Sequence, residues 1–90
     1  MSTVISLSDA RLGDRGVITR VKPGGTDAHA AELERRLLEL GLIEGARVQL
    51  LHNGLFGRDP MALQVDDMRV ALRRHEAANL TVELFAEAAE

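Results

Sequence analysis

Ninety residues, 46% of them hydrophobic and 28% charged, are the composition of one folded domain with a small core and not of a disordered tail. A formal net charge of −3 argues against a surface built to neutralise phosphates, so nucleic acid is not an expected partner. The absence of cysteine removes disulfides, thiolate metal sites and thiol nucleophiles together.

Residues 1–8 have neither the basic start nor the apolar run of a signal peptide. The longest uncharged stretch, residues 48–57, is too short and polar for a spanning helix of ~20 apolar residues. A cytoplasmic protein without membrane insertion is expected, with residues 1–12 and 86–90 as loosely ordered ends of a single domain over residues 1–90. After Gly13 and Gly16, the β-branched Val17, Ile18, Thr19 and Val21 predict a first strand over residues 16–22, stopped by Pro23, Gly24 and Gly25. From Thr26 the period changes: Ala30, Leu33, Leu37 and Leu40 recur at three and four residues and predict a helix over residues 27–40. Thr26 or Asp27 can cap its start, and Glu32 can pair with Arg35 and Arg36. Gly41 can end it in the left-handed conformation with Leu42 folded back on Leu37.

Val48 and Leu50 alternate with Arg47 and Gln49 in a second strand over residues 46–52, which Asn53-Gly54 should reverse. Residues 55–60 then read as a loop, residues 62–65 as a third strand and Asp66-Asp67 as a turn. Met68, Val70 and Leu72 alternate with Arg69, Ala71 and Arg73 in a half-buried fourth strand with a basic outer face. A single turn over residues 75–79 leads into a last strand from Leu80. The expected fold is mainly β: a small five-stranded barrel with one inserted helix.

The run Arg36-Leu37-Leu38-Glu39-Leu40-Gly41-Leu42-Ile43-Glu44-Gly45 resembles the helix ending of the ferrous iron transport protein A (FeoA) family. In that family a leucine-rich helix closes on Leu-Gly, followed by Pro-Gly and a strand. Leu55-Phe56-Gly57-Arg58-Asp59-Pro60 resembles the family's Pro-Leu-Gly-Asp-Pro loop, and Val70-Ala71-Leu72-Arg73-Arg74-His75-Glu76-Ala77 its Leu-Arg strand end. The three occur in the family's order and together cover residues 16–84. Glu44 stands where Pro is usual, the Pro before the Leu-Gly loop is missing, and Arg58 is one residue inserted at the loop tip. Asp66-Asp67 replaces a Gly-containing turn, which Asp tolerates at positive φ. The resemblance implies an SH3-like barrel that acts as a cytoplasmic accessory factor of ferrous iron transport, docking on the cytosolic GTPase part of a FeoB-type iron permease.

Candidate contact residues follow from the surface chemistry. Leu55 and Phe56 are two large apolar groups in a turn-rich loop, suited either to docking a partner or to capping an open barrel end. Arg69, Arg73 and Arg74, joined by Arg35 and Arg36 from the helix, could meet an acidic partner surface, or simply form the solvated face that strand alternation requires. Capture of polyproline peptides would need an aromatic groove, for which only Phe56 and Phe85 are available. Among His29, His52 and His75, only His29 shares a helix face with a second ligand type, Glu32. Two ligands define no site, so no cofactor is required and a transition metal ion would bind only weakly. Ser6 and Ser8 lack any nucleophile context and Gly24-Gly25 lacks the Gly-Lys pattern of a phosphate loop, so no enzyme is expected. Two alternatives share the fold: a stand-alone SH3-like domain of the iron-dependent repressor type, and a module that self-associates through an open sheet edge into a homo-oligomer.

Overall fold

The computed structural model describes residues 3–22 and 28–85. In chain order it contains β1 (Thr3–Ser6), a 3-10 turn (Leu7–Asp9), β2 (Arg15–Val21), α1 (Ala28–Glu39), β3 (Arg47–Phe56), β4 (Asp59–Val65), β5 (Met68–Leu72), α2 (Arg74–Ala77) and β6 (Leu80–Leu84). The helix expected over residues 27–40 is present, and its ending has the predicted chemistry. Leu42 N–H donates to the Leu37 carbonyl at 2.9 Å and Gly41 N–H to that of Leu38 at 3.0 Å. Gly41 supplies a φ of 88°, and Leu37 and Leu42 are both fully buried: a Schellman ending with its apolar contact. The caps expected from Thr26 and Asp27 lie outside the described residues. Glu32 is not the partner of the two arginines: Arg35 faces Glu39 at 3.9 Å, and Arg36 leaves the helix to meet Glu76 of α2 at 2.7 Å.

All six strands form one antiparallel sheet in the order β1-β6-β2-β3-β4-β5. The sequence pattern yields five; the sixth is β1, which lies within the segment expected to be a loose end. Its pairing is entirely non-local, from Thr3 opposite Leu84 to Ser6 opposite Thr81, so four residues without a clear alternation become a strand only once β6 is there to receive them. The chain then turns inward at Leu7, which is buried, and the Leu7–Asp9 turn packs against α2. Because that turn follows one edge strand and α2 follows the other, their contact draws the two edges together and closes the curled sheet around its core. Ile18, Leu37, Leu42, Leu50, Met61, Leu63, Leu72, Leu80 and Val82 fill that core. Residues 86–90 lie outside the described residues.

The hairpin of β3 and β4 departs from expectation. Asn53-Gly54 does not reverse the chain; β3 runs on to Phe56, and the reversal falls at Gly57-Arg58, with φ of 63° and 62° and Phe56 opposite Asp59. Positive φ at both positions of a two-residue connection is the requirement of a type I′ turn. Asn53 and Gly54 have other work: a Cβ on Gly54 would collide with the Asp59 carbonyl across the hairpin, and the Asn53 side chain accepts a bond from Arg74. Two register shifts, between Leu50 and His52 and between Asn53 and Phe56, absorb the extra residues. Asp66 does take the left-handed conformation at 53°, steadied by a bond from Arg47 N–H to its Oδ1 at 3.2 Å. On β5 the alternation holds for Arg69, Val70, Ala71 and Leu72, but Met68, read as inward, is exposed because it sits at the turn where the strand begins.

Candidate functional site

The far half of the β3–β4 hairpin stands outside the sheet. On one side β2 pairs with β3 only as far as Arg15 opposite Gln49, followed by two bonds at Leu50, whose N–H donates to the Asp14 carbonyl and whose carbonyl accepts from Gly13 N–H. On the other side β5 reaches no further along β4 than Leu72 opposite Met61. Among the described residues, 54–60 therefore have only each other as sheet neighbours, and an isolated two-stranded ribbon is marginally stable in water.

Arg74 compensates for this. It is the first residue of α2 and its guanidinium is turned back under the hairpin. Nη2 donates to Asn53 Oδ1 at 2.6 Å, Nε to the Arg58 carbonyl at 3.1 Å, and Nη1 to the Ser8 carbonyl. Its backbone N–H donates to Asp59 Oδ1 at 2.7 Å. One residue thus ties β3, the I′ turn, β4 and the 3-10 turn to α2. The fixed fork of guanidinium donors suits it to three acceptors at once, which a lysine ammonium on a flexible stem serves poorly.

The expected arginine cluster is accordingly divided. Arg74 is half-buried and each of its three guanidinium nitrogens donates a bond within the molecule. Arg73 is exposed, with its backbone N–H capped by Glu76 Oε1 at 2.9 Å. Arg69 is exposed on the outer face of β5 opposite Gln64, four residues back along the strand, or roughly 13 Å at about 3.3 Å per residue. Arg36 belongs to the α1–α2 contact through Glu76. Leu55 and Phe56 occupy the last two positions of β3, at the approach to the turn; whether their side chains dock or cap falls outside what is described. Strand parity carries a signal for Arg74: with Leu72 inward and Arg73 outward, the next residue points inward again.

A groove of about 690 Å³ separates α1 from α2, lined by His29, Glu32, Leu33, Arg36, His75 and Glu76. His75 lines the same groove as the His29 and Glu32 pair suggested by the sequence. Among the described residues, no group of three or more His, Cys, Asp or Glu is placed to hold a metal ion. No helix among them is long and apolar enough to cross a membrane.

Comparison with known proteins gives these features a context. An Fe(2+) transport protein A/Fe(2+) transporter FeoB fusion protein of Porphyromonas gingivalis is 34% identical over 80 residues, which are 89% of this chain and 9% of that protein. The chain thus spans a small fraction of that relative's length. The FeoA of Stenotrophomonas maltophilia, a prokaryotic SH3 domain protein solved with zinc, superposes with a TM-score of 0.72 at 35% identity over 87% of this chain and 88% of that one. A manganese-dependent transcriptional repressor shares the fold at a TM-score of 0.76 and 21% identity, over 94% of this chain and 44% of the repressor. The SH3-like, mainly β architecture expected from the sequence is what these neighbours share, and with the FeoA domain model matching residues 5–84, the chain belongs to the FeoA domain family.

Proposed function

We propose that this domain is a cytoplasmic, non-enzymatic accessory factor of ferrous iron transport that docks on the cytosolic GTPase part of a FeoB-type permease. The observation that carries the proposal is the fusion relative: two domains that occur in one polypeptide act at high effective concentration towards each other, an arrangement that favours partners able to bind. The hairpin tip with Leu55 and Phe56 is the proposed contact, since it projects beyond the sheet and carries large apolar side chains of the kind that anchor interfaces. Arg73 lies at the same end of β5 and offers a rim charge; Arg69 lies at the far end of that strand and would meet only a broad acidic surface.

The immobilised cytosolic domain of the FeoB-type permease from the same genome should retain the wild-type chain. A Leu55→Ser/Phe56→Ser double variant should bind about tenfold or more weakly, as loss of an apolar anchor does elsewhere. No retention of either form would sink the docking proposal, and equal retention of both would move the contact away from the tip. The repressor likeness, at low identity, speaks for shared architecture and does not favour a repressor role for this chain; a repressor gene beside it in place of a permease gene would reverse that preference. Self-association is checked by light scattering across a concentration range.

A further inference from the structure

We infer that Arg74 is a positioning residue for the hairpin tip: its guanidinium holds residues 54–60 in one conformation, and this fixes the geometry in which the tip meets a protein partner. The inference rests on the docking proposal for its functional half and on geometry alone for its structural half.

The tip lies beyond the reach of both neighbouring strands: the pairing on the β2 side stops at Leu50 and that of β5 at Met61. Within the tip, the turn contains a non-glycine residue at positive φ, Arg58, so its conformation needs support from outside. That support comes from Arg74, whose acceptors sit on both strands of the ribbon and on the turn itself: Asn53 Oδ1 before the tip, the Arg58 carbonyl within it, and Asp59 Oδ1 on the return strand. The third guanidinium bond, to the Ser8 carbonyl, anchors the fork to the turn after β1, whose Leu7 is buried, so the ribbon is fixed to the body of the domain and not merely to α2. Gly54 completes the arrangement by letting the two strands approach more closely than a side chain would allow. A side chain engaged in this way is not a free cation for a partner; it acts through the residues it holds. A partner recognising the tip binds only the fraction of molecules whose tip is in the right conformation, so its apparent Kd rises in proportion as that fraction falls.

The test compares wild type with Arg74→Lys, which keeps the charge and loses the fork, with Arg74→Ala, and with Asn53→Ala, which removes one acceptor. Backbone 15N order parameters of residues 54–59 should fall from about 0.85 in the wild type to below about 0.6 in both Arg74 variants, while those of β2 and β6 stay at the rigid value. Asn53→Ala should give a smaller drop in the same residues. At a temperature where every variant is folded, the Kd for the permease's cytosolic domain should rise about tenfold in Arg74→Lys, the result of a tenfold fall in the competent fraction. Unchanged order parameters at the tip, or a loss spread evenly over the sheet, would overturn the inference, because a general stabiliser does not act locally. Were Arg74→Ala to unfold, the lysine and Asn53 variants decide. Should the wild type not bind the permease domain at all, the docking proposal falls and the order parameters still decide the positioning role. Binding by wild type with an unchanged Kd in Arg74→Lys, despite a loosened tip, would refute the link between the two.

Discussion

At the scale of single residues, Arg58 shows how a side chain and its backbone can have separate duties. Its φ of 62° places an L-residue where glycine is at ease, at a cost of about 1–2 kcal/mol, yet the carbonyl this conformation presents is an acceptor for Arg74. Arg58→Gly keeps that carbonyl and relieves the strain, and only part of the gain is offset by the freer unfolded chain. It should stabilise the domain by about 0.5–1 kcal/mol, seen in thermal unfolding as a rise of roughly 2–8 °C for a chain of this size. The insertion was legible in the sequence as a departure at the loop tip; its role was not, because nothing local distinguishes a residue that lengthens a loop from one that completes a turn. Asn53-Gly54 misled for a related reason. The pair has the residue types of a reversal, but here the amide is an acceptor and the missing Cβ allows close approach.

At the scale of elements, α1 is the clearest case of sequence becoming structure, since its period, its stop and the burial of Leu37 and Leu42 all follow from residues adjacent in the chain. Its attachment to the rest of the domain does not. Glu76 is nearly buried, and it joins the two helices by accepting from Arg36 at 2.7 Å through Oε2 and from Arg73 N–H at 2.9 Å through Oε1. Removing it by Glu76→Ala leaves the start of α2 uncapped and α1 without its ionic tether. A loss of about 1–2 kcal/mol in urea unfolding is expected from the cap and the charged bond together. The Arg35–Glu39 pair, at 3.9 Å and exposed, serves as the control: Glu39→Ala should cost under about 0.5 kcal/mol. The tether could not be read from sequence because its ends are 40 residues apart, and Arg36 has nearer acidic residues that periodicity favours as partners.

At the scale of the whole molecule, the sheet is closed by its least conspicuous segment. Residues 3–9 lie in a segment expected to be loose, yet they form β1 and the turn after it; neither has a local signature, and both are specified by β6 and by the space beneath α2. Leu7 is 2% exposed and lies where the two edges of the sheet are drawn together. Leu7→Ala should therefore cost about 2–5 kcal/mol, the range for truncating a buried leucine, and the resulting fall in the urea midpoint should come with an unchanged slope. A cost below about 1 kcal/mol would mean that the closure is made elsewhere. The other five strands and the helix were recoverable because each carries its own period and punctuation.

The pairing of β1 with β6 has one more consequence. Thr3 lies opposite Leu84, so the two ends of the described fold leave it side by side, as antiparallel neighbours. A longer polypeptide could enter and exit such a domain through a single doorway. Circular permutation through that doorway needs only a few linking residues, and a barrel with this exit can be carried within a larger chain without opening any other strand.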